Sequence, residues 1–207
     1  MNLQKLFEIQ RILDEKIVKE KGLEGQDLLD KKILALQVEL GELANEWQMF
    51  KFWSEDQEPR TNEPIECETC DGWGAETDHY RICMSSDKCE SCNGTGFVGS
   101  RNPLLEEYVD CLHFILSIGS ATVPDTSKAE RFIYPKKMSD ILDQLMWTNK
   151  KIVDMYEDYR DKKIPSTGYH FNHVFSAIWG LGEMLGFTWE QIEQAYYRRS
   201  KRQEGKY

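Results

Sequence analysis

The chain has 207 residues, enough to bury one sizeable core, or one core with a small insertion, and too few for two full-sized domains. Its 26 Lys and Arg against 36 Asp and Glu give a formal charge of -10. That is the wrong sign for a protein that wraps a phosphate backbone by electrostatics alone, so nucleic-acid binding is disfavoured.

The opening stretch MNLQKLFEIQRILDEKIVKEK is charged throughout and lacks the apolar segment and small-residue cleavage site of a secretory signal. The most apolar later stretch, FSAIWGLGEMLGF, carries Glu183 and is shorter than the roughly 20 residues a bilayer span requires. Neither secretion nor a membrane partner is expected, and a reducing, cytoplasmic setting is the default. Four of the six cysteines fall in two C-x-x-C pairs, which in that setting read as metal ligands before disulfides.

Helical periodicity dominates, and no run alternates with period two, so the expected fold class is all-α, a helical bundle. In chain order, a first helix runs from about Leu3 to Lys21, with Leu6, Ile9, Ile12, Leu13 and Ile17 on one side, until Gly22 and Gly25 break it. A second runs from about Asp27 to Phe52. From about residue 55 to 102, prolines, glycines and most of the cysteines crowd in and the helical pattern is lost, which marks an insertion within a single 1–207 domain. Pro103 then suits the first turn of a third helix ending near Gly119. After Pro124 and Pro135 a fourth helix carries Ile141, Leu142, Leu145, Ile152, Val153 and Met155. A fifth spans about Tyr169 to Leu185 and stops at Gly186, and Thr188-x-x-Gln191 looks like a capping box opening a last helix toward Arg199.

Glu39, Glu42 and Glu46 lie three and four residues apart, in one narrow sector of the second helix at about 100° per residue. That sector borders the apolar stripe of Leu36, Leu40, Leu43, Trp47 and Phe50. Like charges so placed oppose helix formation, and no lysine in the same turn offsets them. The third helix repeats the device with Glu107 and Asp110 beside Leu104, Tyr108, Cys111 and Ile115. If the two stripes face one another, the acids converge at the rim of the bundle, where a cation must neutralise them. Hard divalent ions, magnesium most simply, fit an all-oxygen cluster with positions left for water and a phosphate-bearing ligand. Glu55, Glu58 and Glu106 read as solvated acids, and no Ser-His or Cys-His pair suggests a covalent nucleophile.

The segments ILALQVELGELANEWQMFKFWS and LLEEYVDCLHFILSIG resemble the dimeric dUTPases of the all-α NTP pyrophosphatase superfamily, which also includes the MazG-like proteins. The resemblance implies magnesium-dependent hydrolysis of dUTP, with dUDP as a further substrate, to dUMP. It implies magnesium ligands at Glu39, Glu42, Glu107 and Asp110, and at Glu46 a further ligand or the acid positioning the attacking water. Gln10 matches a glutamine that contacts uracil, Trp53 a wall of the base pocket, and Lys51 a phosphate contact. The family's C-terminal lysine-asparagine pair and further asparagine are missing from YYRRSKRQEGKY, which keeps Arg202-Gln203 and ends in Tyr207. Arg199, Lys201 and Arg202 could substitute as phosphate-binding cations; an ordinary basic tail is the other reading. His113 reads as a hydrogen-bonded histidine near the site rather than a metal ligand. The family also implies a homodimer.

CETCDGWG and CESCNGTG each fit C-x-x-C-x-G-x-G, the pattern of the cysteine-rich region of DnaJ-type chaperones. Cys67, Cys70, Cys89 and Cys92 thus have the spacing of a closed, tetrahedral, structural zinc site. Cys83 is not needed for four-coordination, Cys111 reads as core, and His79 is a lesser alternative to one cysteine. The expected function is therefore dUTP diphosphatase with an inserted zinc ribbon. The rival readings are a MazG-like or dCTP-preferring pyrophosphatase and a zinc-ribbon adaptor without catalysis.

Overall fold

A computed structural model describes residues 2–77, 83–123, 125–126 and 133–204. His79, Pro124 and Tyr207 lie outside the described residues, as do the side chains of Cys83 and Gln203. The order is α1 (Leu3–Glu20), α2 (Leu29–Trp47), β1 (Glu63–Glu66), β2 (Ala75–Thr77), β3 (Cys83–Lys88), β4 (Phe97–Arg101), α3 (Pro103–Thr122), α4 (Ile141–Arg160), α5 (Ile164–Met184) and α6 (Trp189–Glu204). The fold is all-α, and among the described residues the short strands lie between α2 and α3.

Helix α3 is the centre of the bundle. It packs against α1, α2, α5 and α6, while α4 bridges α2 and α5. Accordingly it is buried on nearly every side, from Leu104 and Leu105 through Tyr108, Leu112 and Ile115 to Ile118. The Tyr108 hydroxyl donates to the Ile178 carbonyl of α5 at 3.1 Å, and its ring fits there because α5 carries Gly182 at the contact. A Cβ on that glycine would lie 2.5 Å from the hydroxyl oxygen.

Several helix ends follow from the residues that cap them. Asn2, Asn102 and Asp140 accept from the backbone of Lys5, Leu105 and Asp143, satisfying amides at the starts of α1, α3 and α4. At α6 the capping box closes in both directions: Gln191 N–H donates to Thr188 Oγ1 at 3.3 Å, and Thr188 N–H to Gln191 Oε1 at 2.9 Å. Helix α2 stops five residues short of Phe52. Gln48 adopts a left-handed conformation with φ 59°, and its side-chain amide donates to the Glu58 carbonyl, turning the chain toward the cysteine-bearing segment. On α4, Leu142 and Val153 do not join the core: they are 50% and 41% exposed, on the same side as Met146 and Tyr156.

Between α2 and α3, β1 pairs antiparallel with β4, and β2 with β3. The first pair is a stem whose root is tied to the bundle: Arg60 N–H donates to Glu46 O and Leu104 N–H to Arg60 O, both at 3.0 Å. Residues of β4 are exposed on both faces, which is why no alternating pattern announced them. No helix among the described residues is long and apolar enough to cross a membrane.

Candidate functional site

Packing of α2 against α3 brings their acids together. One carboxylate oxygen each from Glu39, Glu42 and Glu107 fall within 4.8 Å of one another. Asp110, one turn further along α3, is buried and held by Arg199 of α6: Nε donates to Oδ1 at 2.8 Å, and Nη2 pairs with Oδ2. Glu46 lies past the trio on α2. Its Oε1 is 3.7 Å from Arg60 Nη1, and its Oε2 is buried with no hydrogen-bond partner among the described residues.

Burial first, then the charges of Asp110 and Glu42, push the Glu39 carboxyl up to about 7, with Arg199 opposing. Burial and the charges of Asp110, Glu39 and Glu42 push Glu107 up to about 7 as well. Asp110 is raised chiefly by burial, against the pull of Arg199. Half-buried oxygens repelling one another at this spacing are a donor set that a hard divalent cation fits. A folded pKa raised above 4.5 means the native state holds the proton more tightly than the unfolded chain. Stability from Glu39 is therefore lost as pH rises from about 4.5 through about 7. Without divalent ions, Glu39→Gln should melt higher than wild type at pH 8 and about level with it at pH 4.5. A thermal-melt series over that range checks the trend, and a gap independent of pH would contradict it.

Beside the acids lies a cavity of about 270 Å³ whose walls are largely apolar, with polar groups supplied by Gln10 and Asp14 of α1, Lys32 and Glu39 of α2, Asp110, His113 and Ser117 of α3, and Arg199. Gln10 is buried here rather than solvent-facing. Its amide nitrogen donates to Asp14 Oδ1 at 2.7 Å, so its carbonyl oxygen faces Tyr196 OH at 2.8 Å and His113 Nδ1 at 2.7 Å. A carbonyl only accepts, hence Nδ1 carries the imidazole proton. Burial, reinforced by Arg199, pushes His113 down to about 3 and keeps it neutral. Its Nε2 is thus a buried lone pair, without a partner among the described residues. Asp14 Oδ2 accepts from Lys32 Nζ at 3.1 Å and from the Ser117 hydroxyl.

The four ribbon cysteines are buried together, and no disulfide joins the described cysteines. Cys67 and Cys89 sulfurs are 3.9 Å apart, Cys70 and Cys92 sulfurs 3.7 Å. Four sulfurs at about 2.3 Å from a tetrahedral zinc would sit about 3.8 Å from one another, so the set fits that ion. Gly74 and Gly96 amides each donate to a sulfur, of Cys70 and Cys92, at 3.3 Å. The knuckles abut through these glycines: a Cβ at Gly74 would lie 2.5 Å from Gly94 O, and one at Gly96 2.2 Å from Gly72 O. Cys111 is buried in the main core.

The remaining expected contacts are dispersed. Lys51 donates to the Asn45 carbonyl at 3.0 Å, and Trp53, 65% exposed, stacks edge-on with Phe50 and Phe52; neither lines the cavity. Arg199 does line it, Arg202 lines a second cavity on the ribbon side, and Lys201 is exposed and lines neither. Asp14, Lys32 and Ser117 were not singled out by sequence, and His113 only as a hydrogen-bonded histidine near the site. The available signal was polar residues four apart interrupting apolar helix faces, at Gln10 and Asp14 and again at His113 and Ser117.

An all-α bundle in which carboxylates of two helices converge beside a cavity that a half-buried arginine also lines suits a hydrolase acting on a phosphate-bearing ligand. A family model described as dUTPase matches residues 2–84 and 97–207. The chain belongs to this all-α dUTPase family and is an enzyme of the dUTP diphosphatase kind. The break in the match falls inside the cysteine ribbon, between residues 84 and 97. No curated protein and no solved structure matches the chain.

Proposed function

We propose that the chain hydrolyses dUTP, with dUDP as a further substrate, to dUMP in a magnesium-dependent reaction. The observation that supports it most is the convergence of Glu39, Glu42 and Glu107 from two helices next to the Gln10 cavity. In this reading those three and Asp110 would hold magnesium, with Arg199 beside them. Bound magnesium supplies charge neutralisation at the polyphosphate and acidifies a water. Glu46, through its unpaired Oε2, accepts a hydrogen bond from the attacking water and holds it in line with the phosphorus. Arg199 and Arg202 take up charge developing on the phosphate oxygens.

The base occupies the cavity. Uracil N3–H donates to the Nε2 lone pair of His113, and Lys32 and Gln10 hold the carbonyl side. One observation favours a second reading, a cytosine-preferring relative: Asp14 is an acceptor-only group in the same cavity and would welcome a 4-amino group. Pyrophosphate release from dUTP, dCTP, dTTP and dATP with magnesium separates the two. We expect dUTP to exceed dCTP, and the reverse order would establish the second reading.

We further propose that Cys67, Cys70, Cys89 and Cys92 hold a structural zinc ion in an inserted unit spanning 55–102. The enzyme pairs as a homodimer without membrane or nucleic acid and works in the cytoplasm. Pairing is supported by apolar side chains left exposed along α2 and α4, namely Leu34, Val38, Val153 and Tyr156, beside a groove of about 380 Å³.

A further inference from the structure

A line of hydrogen bonds runs through the Gln10 cavity from α2, by way of α1, to α3 and α6, and its direction is fixed at the α2 end. Lys32 Nζ can only donate, and it lies 3.1 Å from Asp14 Oδ2 with both side chains largely buried. The Ser117 hydroxyl donates to the same oxygen. Asp14, as a carboxylate, only accepts, and its Oδ1 takes the Gln10 amide nitrogen at 2.7 Å. Gln10 therefore points its carbonyl at α3 and α6, where His113 Nδ1 at 2.7 Å and Tyr196 OH at 2.8 Å donate to it.

Gln10, His113 and Tyr196 are all buried, so these groups depend on one another rather than on water. The His113 ring stacks on Tyr196, with centroids 4.2 Å apart and 20° between planes. Its position is thus set by packing, and the relay decides which nitrogen carries the proton. With the proton on Nδ1, the group left on the cavity wall is the Nε2 lone pair, unpartnered among the described residues.

The same geometry can run backwards. An amide at position 14 would offer an oxygen and an NH2 group, and the oxygen belongs opposite the Lys32 ammonium, where the bond is charge-assisted. Its NH2 group then faces Gln10, which must answer with its carbonyl and turn its own NH2 group toward Tyr196 and His113. His113 Nδ1 becomes the acceptor, the proton sits on Nε2, and the cavity wall changes from acceptor to donor. Tyr196 OH, now accepting from Gln10, can donate to Leu6 O, 3.5 Å away.

We propose that Asp14, held by Lys32, determines base specificity by setting the direction of this relay, so that His113 Nε2 accepts and the cavity selects a pyrimidine with N3–H. Uracil has that N3–H, and cytosine has a lone pair there. Asp14 is in this respect a positioning residue that acts through Gln10 and His113. The inference rests on the placement of the base in this cavity.

Nitrogen NMR of isotope-labelled full chain tests the relay by locating the His113 proton, the signal being assigned by its absence in His113→Gln. Wild type should carry the proton on Nδ1, and Asp14→Asn, an isosteric change, on Nε2. In parallel, the ratio of kcat/KM for dUTP to that for dCTP, with magnesium, should fall about a hundredfold in Asp14→Asn. Uracil then loses a matched hydrogen bond and meets a buried mismatch, and cytosine gains what uracil loses. A wild-type proton on Nε2 overturns the relay whether or not the variant folds, and so does a proton kept on Nδ1 in Asp14→Asn. An unchanged ratio in an active Asp14→Asn enzyme whose His113 has reversed overturns the specificity role. If wild type hydrolyses neither nucleotide while the proton still moves in the variant, the proposed reaction fails and the relay stands.

Discussion

Glu107→Gln should lower magnesium-dependent turnover of dUTP by about a thousandfold while the protein melts no lower than wild type. The expected loss reflects the several kcal/mol that a well-placed divalent ion contributes to a phosphoryl transition state. Glu107 is the α3 member of the trio whose other two members come from α2, so without its charge α3 offers the cluster Asp110 alone. Asp110 is the next acid on that face, and it is already engaged by Arg199. The stability expectation runs the other way, because burial and three neighbouring acids raise the Glu107 carboxyl to about 7. Neutralising it removes repulsion that the metal-free fold must otherwise bear. Steady-state kinetics beside thermal melts without metal read both effects, with exposed Glu55→Gln as control. Turnover equal to wild type would remove Glu107 from the site, and loss of activity with a lower melting temperature would reduce its role to packing.

Cys67→Ser should abolish zinc binding and unravel the ribbon while leaving the helices folded. Elemental analysis should find about one zinc per chain in wild type and close to none in the variant. Among its described residues little else holds the segment: those of β4 are all exposed, and the buried cluster consists of the four cysteines themselves. A metal contributes about 10–16 kcal/mol in comparable small sites, far more than two short two-stranded pairs supply. Limited proteolysis should accordingly cut between residues 66 and 97 in the variant and leave the wild type intact. Helical circular dichroism should barely change, since the bundle core draws on α1 to α6 and none of the ribbon. Wild-type protein without zinc would refute the site.

Features carried by one helix at a time were legible in the sequence. Glu39 and Glu42 share a sector because three residues are nearly one turn, and Glu107 and Asp110 repeat that spacing; the cysteine pattern likewise named its own ligands. What escaped depends on elements distant in the chain. The Arg199 pair with Asp110 spans 89 positions, and no local pattern connects α6 to α3. The burial of Gln10 depends on Tyr196 and His113 arriving from two other helices. Helix α2 stopped early because Gln48 takes up a left-handed turn to reach Glu58, although residues 48–52 carry enough apolar character to continue the pattern. The exposed side of α4 reads as core in isolation, since hydrophobic periodicity does not distinguish a face packed within the chain from one left exposed.

The root of the ribbon has one more implication. Glu63 and Arg101 are cross-strand neighbours, so the 37 residues between them leave and rejoin the bundle at one point. Loop-closure entropy grows only with the logarithm of length, about 0.6 kcal/mol per doubling, so the host scaffold is nearly indifferent to what hangs from that hairpin root. Splicing in a longer cassette there, or trimming back to a tight reverse turn, would preserve the helical host. The junction is a natural port through which a lineage can trade accessories without redesigning the catalyst.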